Sequence, residues 1–170
     1  MKYFLIGYMA SGKSTIGKYL ALQLNLPFYD LDSYIEEQEK QSISDIFETK
    51  GEIYFRRLEH QKLKELLQME EDMVIALGGG TPCYAGNMEQ LLANGTSFYL
   101  QYPLPVLVDR LWIEKDHRPI ISHIKSKELL EDFIRKHIFE RAPYYLKANY
   151  TLQLKQESPE EIIQKIKALL

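Results

Sequence analysis

Cysteine is almost missing from this 170-residue chain: Cys83 stands alone, so no intrachain disulfide can form, which fits a reducing compartment. No run approaches the roughly 18 apolar residues of a membrane span, and the N-terminal stretch Tyr3-Phe4-Leu5-Ile6 is too short for a secretory signal. Lys- or Arg-rich tracts are absent and the net charge is −3, so neither nucleic acid nor a membrane is an expected partner. His60, His117, His123 and His137 are scattered without H-x-x-x-H spacing, which argues against a zinc site. The strings D-x-x-G and N-K-x-D do not occur, which removes a GTPase switch. With no repeat, low-complexity tract or linker, residues 1–170 are expected to form a single domain, a cytoplasmic monomer.

What the chain does have is Gly7-Tyr8-Met9-Ala10-Ser11-Gly12-Lys13-Ser14, a match to G-x-x-x-x-G-K-[ST]. The surroundings suit it. An apolar strand-like run precedes it, and Ser14–Leu24 follows with Ile16, Leu20 and Leu24 on one helical face. Such a loop wraps phosphate in backbone N–H groups at a helix N-terminus. Lys13 then reaches the β- and γ-phosphates, and the Ser14 hydroxyl suits Mg²⁺.

Five segments read as strands: Tyr3–Gly7, Phe28–Asp30, Met73–Leu77, Ser97–Gln101 and Tyr150–Leu154. Helical patterns separate them, which predicts an α/β fold with a parallel sheet. Ser33-x-x-Glu36 reads as a capping box opening one helix. A second helix runs from Gly51 to about Met69, a third from about Asn87 to Gly95, and a terminal one is capped by Ser158-Pro159-Glu160-Glu161. Residues 114–127 are polar and weakly periodic, a composition that suits a mobile loop.

Candidate chemistry lies at the carboxyl ends of the strands, where open parallel sheets gather ligands. Asp30 and Asp32 follow the second strand; one suits Mg²⁺ through water and the other an attacking hydroxyl. Arg56 and Glu59, three apart on a helix, can pair, and an arginine fork suits a carboxylate. Gly78, Gly79 and Gly80 leave bare N–H groups for an anion or hydroxyl. Arg118 in the polar stretch has the position of an in-chain arginine finger, Arg141 adds a cation for an acidic substrate, and Arg110 either stacks on a base or is simply exposed. Cys83 reads as a packing cysteine, since no histidine partner is near in sequence.

Taken together, Asp30-x-Asp32, Gly51-Glu52-x-x-Phe55-Arg56-x-x-Glu59, Leu77-Gly78-Gly79-Gly80, Arg118-Pro119 and Arg141-x-Pro143-x-Tyr145 resemble the shikimate kinases over nearly the whole chain. The resemblance implies a three-layer α/β/α P-loop kinase of the nucleoside-monophosphate-kinase-like type, with a five-stranded parallel sheet of order 2-3-1-4-5 and a mobile lid at 114–127. It implies transfer of the γ-phosphoryl of ATP to the 3-hydroxyl of shikimate, giving shikimate 3-phosphate and ADP on the route to chorismate and aromatic amino acids, with ATP and Mg²⁺ as cofactors. By the same resemblance, Gly7, Ala10, Ser11, Gly12, Lys13, Ser14 and Thr15 hold ATP, with Ser14 and Asp30 placing Mg²⁺. Arg110 and Gln156 border adenine. Residues 32–60 form a substrate-binding segment, in which Asp32 is the candidate base, Arg56 binds substrate and Glu59 orients Arg56. Gly78, Gly79, Gly80 and Arg141 complete the shikimate site, and Lys13, Asp32 and Arg118 act in catalysis. Ala10 stands where the family usually has glycine. Two other readings remain: another small-molecule P-loop kinase, such as a gluconate kinase, or a nucleotide-binding protein without turnover.

Overall fold

In the computed structural model, which describes residues 1–170, the chain folds around a five-stranded sheet. Strand β1 (Lys2–Ile6) is central, flanked by β3 (Met73–Ala76) and β4 (Gly95–Gln101), with β2 (Phe28–Asp30) and β5 (Tyr150–Gln153) at the edges. All four pairings are parallel, in the order β2-β3-β1-β4-β5. The residue pattern explains which strands lie inside. Phe4, Leu5 and Ile6 of β1 and Met73, Val74, Ile75 and Ala76 of β3 are all buried. Unbroken apolar runs of this kind suit strands covered on both faces. In β5 only Leu152 is buried, as befits an edge.

Seven helices complete an α/β/α sandwich: α1 (Lys13–Leu24), α2 (Leu31–Glu39), α3 (Ile43–Gln68), α4 (Asn87–Asn94), α5 (Leu104–Glu114), α6 (Lys127–Tyr145) and α7 (Pro159–Lys167). One contiguous core joins them to the sheet, built on residues such as Leu20, Leu63, Leu66, Leu111 and Ile166. No helix is long and apolar enough to cross a membrane. The chain turns from strand to helix at the carboxyl ends of β1, β2 and β3. Order reverses beside β1, since β1 leads to β2 on one side while β4 lies on the other. Such a switch point is where a crevice for ligand opens.

One local expectation is corrected and two are extended. Ser33 does not cap α2. The Asp30 carboxylate does so, accepting from Ser33 N–H at 3.1 Å, while Glu36 accepts from Ile43 N–H at 2.9 Å and ties α2 to the start of α3. The helix expected from Gly51 to about Met69 is present, ending at Gln68; ahead of it α3 carries a further helical stretch from Ile43, capped by Ser42. Gly51 is the kink between the two, at φ 84° and ψ 170°. Those angles lie outside the range of side-chain-bearing residues, so glycine is what permits the kink. The stretch 114–127, read as a loop, carries local structure. A short 3-10 turn covers Lys115–His117, Ser122 N–H bonds the Arg118 carbonyl, and Ile121 and Ile124 are buried. Polar composition hid these two apolar anchors. The Ser158 cap of α7 is as expected, accepting from Glu161 N–H at 3.2 Å.

Candidate active site

The loop from Gly7 to Gly12 joins β1 to α1, and Gly12 at φ 81° is the N-cap residue. It leaves the helix's first N–H groups facing a hollow of about 430 Å³. Ala10, Lys13, Ser14, Thr15, Asp30 and Asp32 line this hollow, together with Gly78, Gly79, Arg110 and Arg118. Residues from the ends of three strands and from the polar stretch after α5 therefore share one space. Gly7 and Ser11 shape the loop from behind: Ser11 Oγ donates to the Tyr8 carbonyl at 2.8 Å and is buried.

Lys13 donates to the Gly7 and Tyr8 carbonyls at 2.9 and 2.8 Å. Burial pushes its amine down from 10.5 to about 8, against the pull of Asp32. Ser14 Oγ hydrogen-bonds the Asp30 carboxylate. Asp32 sits in the first turn of α2, with Oδ1 so near Gly78 that a Cβ there would stand 2.9 Å from it. Burial first, then the charges of Asp30 and Glu59, raise its carboxyl from 3.8 to about 6. A carboxylate with that value is ionised at neutral pH yet takes up a proton readily, the property a general base needs.

Ala10 adopts φ 61°. Left-handed angles cost a side-chain-bearing residue roughly 1–2 kcal/mol. Glycine would relieve that strain while losing more chain entropy on folding. Ala10→Gly is therefore expected to raise unfolding free energy by about 0.5–1 kcal/mol, as read by urea denaturation. An unchanged or lower midpoint would show that the loop carries no such strain.

A second hollow opens beyond the triple glycine, lined by Arg56, Arg141, His137, Phe47 and Phe133 among others. Arg56 is held firmly. Its Nη1 donates to Glu59 at 2.9 Å, and its guanidinium lies 4.1 Å from the Tyr84 ring centroid. Its buried Nε has no hydrogen-bond partner; Glu52 Oε1 stands 3.6 Å away. A Cβ at Gly80 would come 2.6 Å from Arg56 Nη2, so only glycine admits the guanidinium there. Arg141 forms no ion pair with a protein carboxylate. A Cβ at Gly79 would stand 3.1 Å from its Nη1, which places Arg141 beside the glycine that also lines the phosphate hollow. Glu59 is buried and lines neither hollow.

Arg118 faces the phosphate hollow, paired with Glu114 at 2.8 Å. Arg110 donates to the Ala10 carbonyl at 3.0 Å, with its guanidinium 4.3 Å from the Tyr102 ring centroid. Gln156 is exposed in the turn between β5 and α7 and lines neither hollow. Cys83 keeps its proton, because burial raises its thiol to about 11. A thiol in that state is a poor nucleophile.

Several residues at the site carried no signal in the sequence reading. Tyr8 Oη and His137 Nδ1 lie 2.9 Å apart, tying the phosphate loop to α6; burial, and secondly Arg141, hold that imidazole down at about 4. Tyr84 and Tyr102 support arginines across the fold. Among the ion pairs at the site, Arg56–Glu59, three apart, is the one the spacing predicts; Glu114–Arg118, four apart, is found only in the structure.

A glycine loop at a helix N-terminus, a carboxylate beside it and a pair of arginines next door have the form of a P-loop kinase site. Comparison with known proteins narrows the class. The family model for shikimate kinase matches residues 9–170. A shikimate kinase of Flavobacterium psychrophilum is 43% identical over 170 residues, covering 99% of this chain and 98% of that one. The crystal structure of shikimate kinase from Bacteroides thetaiotaomicron has a TM-score of 0.91 at 39% identity, covering 99% and 97% of the two chains. Shikimate kinase from Acinetobacter baumannii, solved in complex with shikimate, has a TM-score of 0.88 at 34% identity, covering 99% and 91%. The chain belongs to the shikimate kinase family and is an ATP-dependent enzyme.

Proposed function

We propose that this protein transfers the γ-phosphoryl group of ATP to the 3-hydroxyl of shikimate, with the two adjoining hollows as its nucleotide and acceptor sites. The observation that carries this reading is their junction. Gly79 lines the phosphate hollow and lies against Arg141 of the second, Asp32 stands on the phosphate side, and Arg56 and Arg141 stand on the other. An acceptor whose carboxylate meets the arginines then has its hydroxyl end directed at Asp32 and the phosphates.

Residue roles follow from chemistry. The loop N–H groups and Lys13 hold the phosphates. Asp32 accepts the proton leaving the attacking hydroxyl. Arg56 and Arg141 grip the carboxylate, while the Gly79 and Gly80 backbone leaves room for it. Residues 114–127 act as the lid, from which Arg118 neutralises charge on the transferring group, and 32–60 is the substrate-binding segment. Closure around the reactants excludes water and so limits wasteful hydrolysis of ATP. Arg110 and Gln156 are assigned to the adenine side.

The donors present fit Mg²⁺. Ser14 Oγ and the Asp30 carboxylate are adjacent hard oxygens, and no cluster of three or more His, Cys, Asp or Glu forms a protein cage. Mg²⁺ is characteristically held by one or two side chains, with waters and phosphates filling the rest. When bound, it supplies charge neutralisation to the β- and γ-phosphates.

The test is release of ADP from MgATP with shikimate, gluconate or AMP supplied separately. Shikimate-dependent release, with a product heavier by one phosphoryl group, is the expected result. Release with gluconate or AMP alone would overturn the acceptor. ATP binding without turnover on any of them would favour a non-catalytic nucleotide-binding protein.

A further inference from the structure

Beneath the acceptor hollow lies a buried polar network that extends from Glu59 to residues not yet given a role. Thr81 follows the triple glycine and opens the short 3-10 turn Thr81–Cys83. It is fully buried, held at its hydroxyl by α3 and at its carbonyl by α4. Its Oγ1 donates to Glu59 Oε2 at 2.7 Å. Its carbonyl accepts from Asn87 Nδ2 at 2.9 Å, and Asn87 Oδ1 lies 2.6 Å from His60 Nδ1. Glu59 and His60 are consecutive residues of α3, so one helix turn clamps the segment carrying Gly78, Gly79 and Gly80.

Glu59 is the centre of this arrangement. Its two oxygens divide their duties: Oε1 accepts from Arg56 and Oε2 from Thr81. With only 1% of its surface exposed, water cannot replace either donor. A buried carboxylate that loses a hydrogen bond either rotates to find another or takes up a proton. Each outcome alters its grip on Arg56, whose guanidinium must stay flat between Tyr84 and Gly80 to offer a fork.

We propose that Thr81 is a positioning residue for the acceptor site: its hydroxyl holds Glu59, and Glu59 in turn aims Arg56 at the substrate carboxylate. This rests on the shikimate reading above, which fails separately if the unaltered enzyme does not phosphorylate shikimate.

Thr81→Val keeps the shape and removes the hydroxyl. The KM for shikimate is expected to rise about tenfold, the usual scale for one lost hydrogen bond to a buried charge, while kcat and the KM for ATP stay within about twofold. Thr81→Ser restores the donor and should return the KM to near its original value. A double-mutant cycle fixes the route: in a Glu59→Gln background, adding Thr81→Val should cost little further, because Thr81 acts through that carboxylate. Three results overturn the proposal. They are a shikimate KM within twofold of the original in Thr81→Val, equal impairment in Thr81→Ser, or full additivity with Glu59→Gln. Circular dichroism melting of each variant identifies simple loss of fold, and Thr81→Ser keeps the proposal testable if Thr81→Val does not fold.

Discussion

Asp32→Asn is expected to lower kcat by about 10²-fold or more while leaving the KM for ATP near its original value. The carboxylate lies against Gly78 and lines the phosphate hollow, which the proposed reading makes the place where the attacking hydroxyl arrives. Asparagine preserves shape and some hydrogen bonding but cannot accept the proton. Because the carboxyl is raised to about 6, kcat/KM of the unaltered enzyme should fall as pH drops through that value. Above it the base is ionised and the rate levels off. Asp32→Asn should lose that limb of the profile.

Stability should move the opposite way. The folded-state value of about 6 exceeds the ordinary 3.8, so the folded protein binds this proton more tightly than the unfolded chain. Protonation therefore favours the fold. The gain begins as pH falls below about 6 and is complete below the unfolded value; at neutral pH the ionised carboxylate costs stability. Asp32 keeps some contact with solvent through the cleft, so screening reduces the cost to about 1–2 kcal/mol. Asparagine mimics the neutral form, and Asp32→Asn should melt a few degrees higher at pH 7. Lost turnover with gained stability marks a group kept for chemistry. Near-normal turnover would remove the base role, and a lower melting point would make the residue structural.

How much of this was legible beforehand follows from the range of each interaction. The strands were plain because Phe4–Ile6 and Met73–Ala76 are short apolar runs ending at glycine or acid, and the phosphate loop is a local string whose chemistry depends on consecutive backbone groups. Asp30, Asp32 and the triple glycine stood out for the same reason. The start of α2 differs from expectation because Asp30 and Ser33 are both good caps, and Glu36, which a capping box at Ser33 requires, bonds Ile43 across a helix junction instead. Gly51 reads as a helix boundary and the kink bears that out, while the stretch 43–50 ahead of it is too short to reveal a period. The pairing of Tyr8 with His137 spans 129 positions, and Tyr84 reaches Arg56 across two elements. Nothing local announces such contacts; only the packed fold creates them.

Arg56→Ala is expected to raise the KM for shikimate by about 10²-fold, since a forked, charge-assisted contact is worth more than a neutral hydrogen bond. The KM for ATP should not change, because Arg56 lines the second hollow and not the phosphate one. The same substitution should also destabilise the protein. Glu59 is 1% exposed, and Arg56 is the only cation it pairs with. Removing the cation leaves a buried carboxylate held by Thr81 alone, at a cost of about 3 kcal/mol. The two effects come apart in a second variant. Arg56→Ala combined with Glu59→Gln removes the stranded charge, so stability should largely return while the shikimate KM stays high. Arg56→Lys gives the complementary check: it keeps the charge beside Glu59 but not the planar fork over Tyr84, so it should recover stability and only part of the affinity. If the KM for shikimate is unchanged in Arg56→Ala, the carboxylate grip lies elsewhere, with Arg141 the remaining cation beside Gly79. If stability and KM recover together in the double variant, Arg56 serves only to neutralise Glu59 and makes no contact with the acceptor.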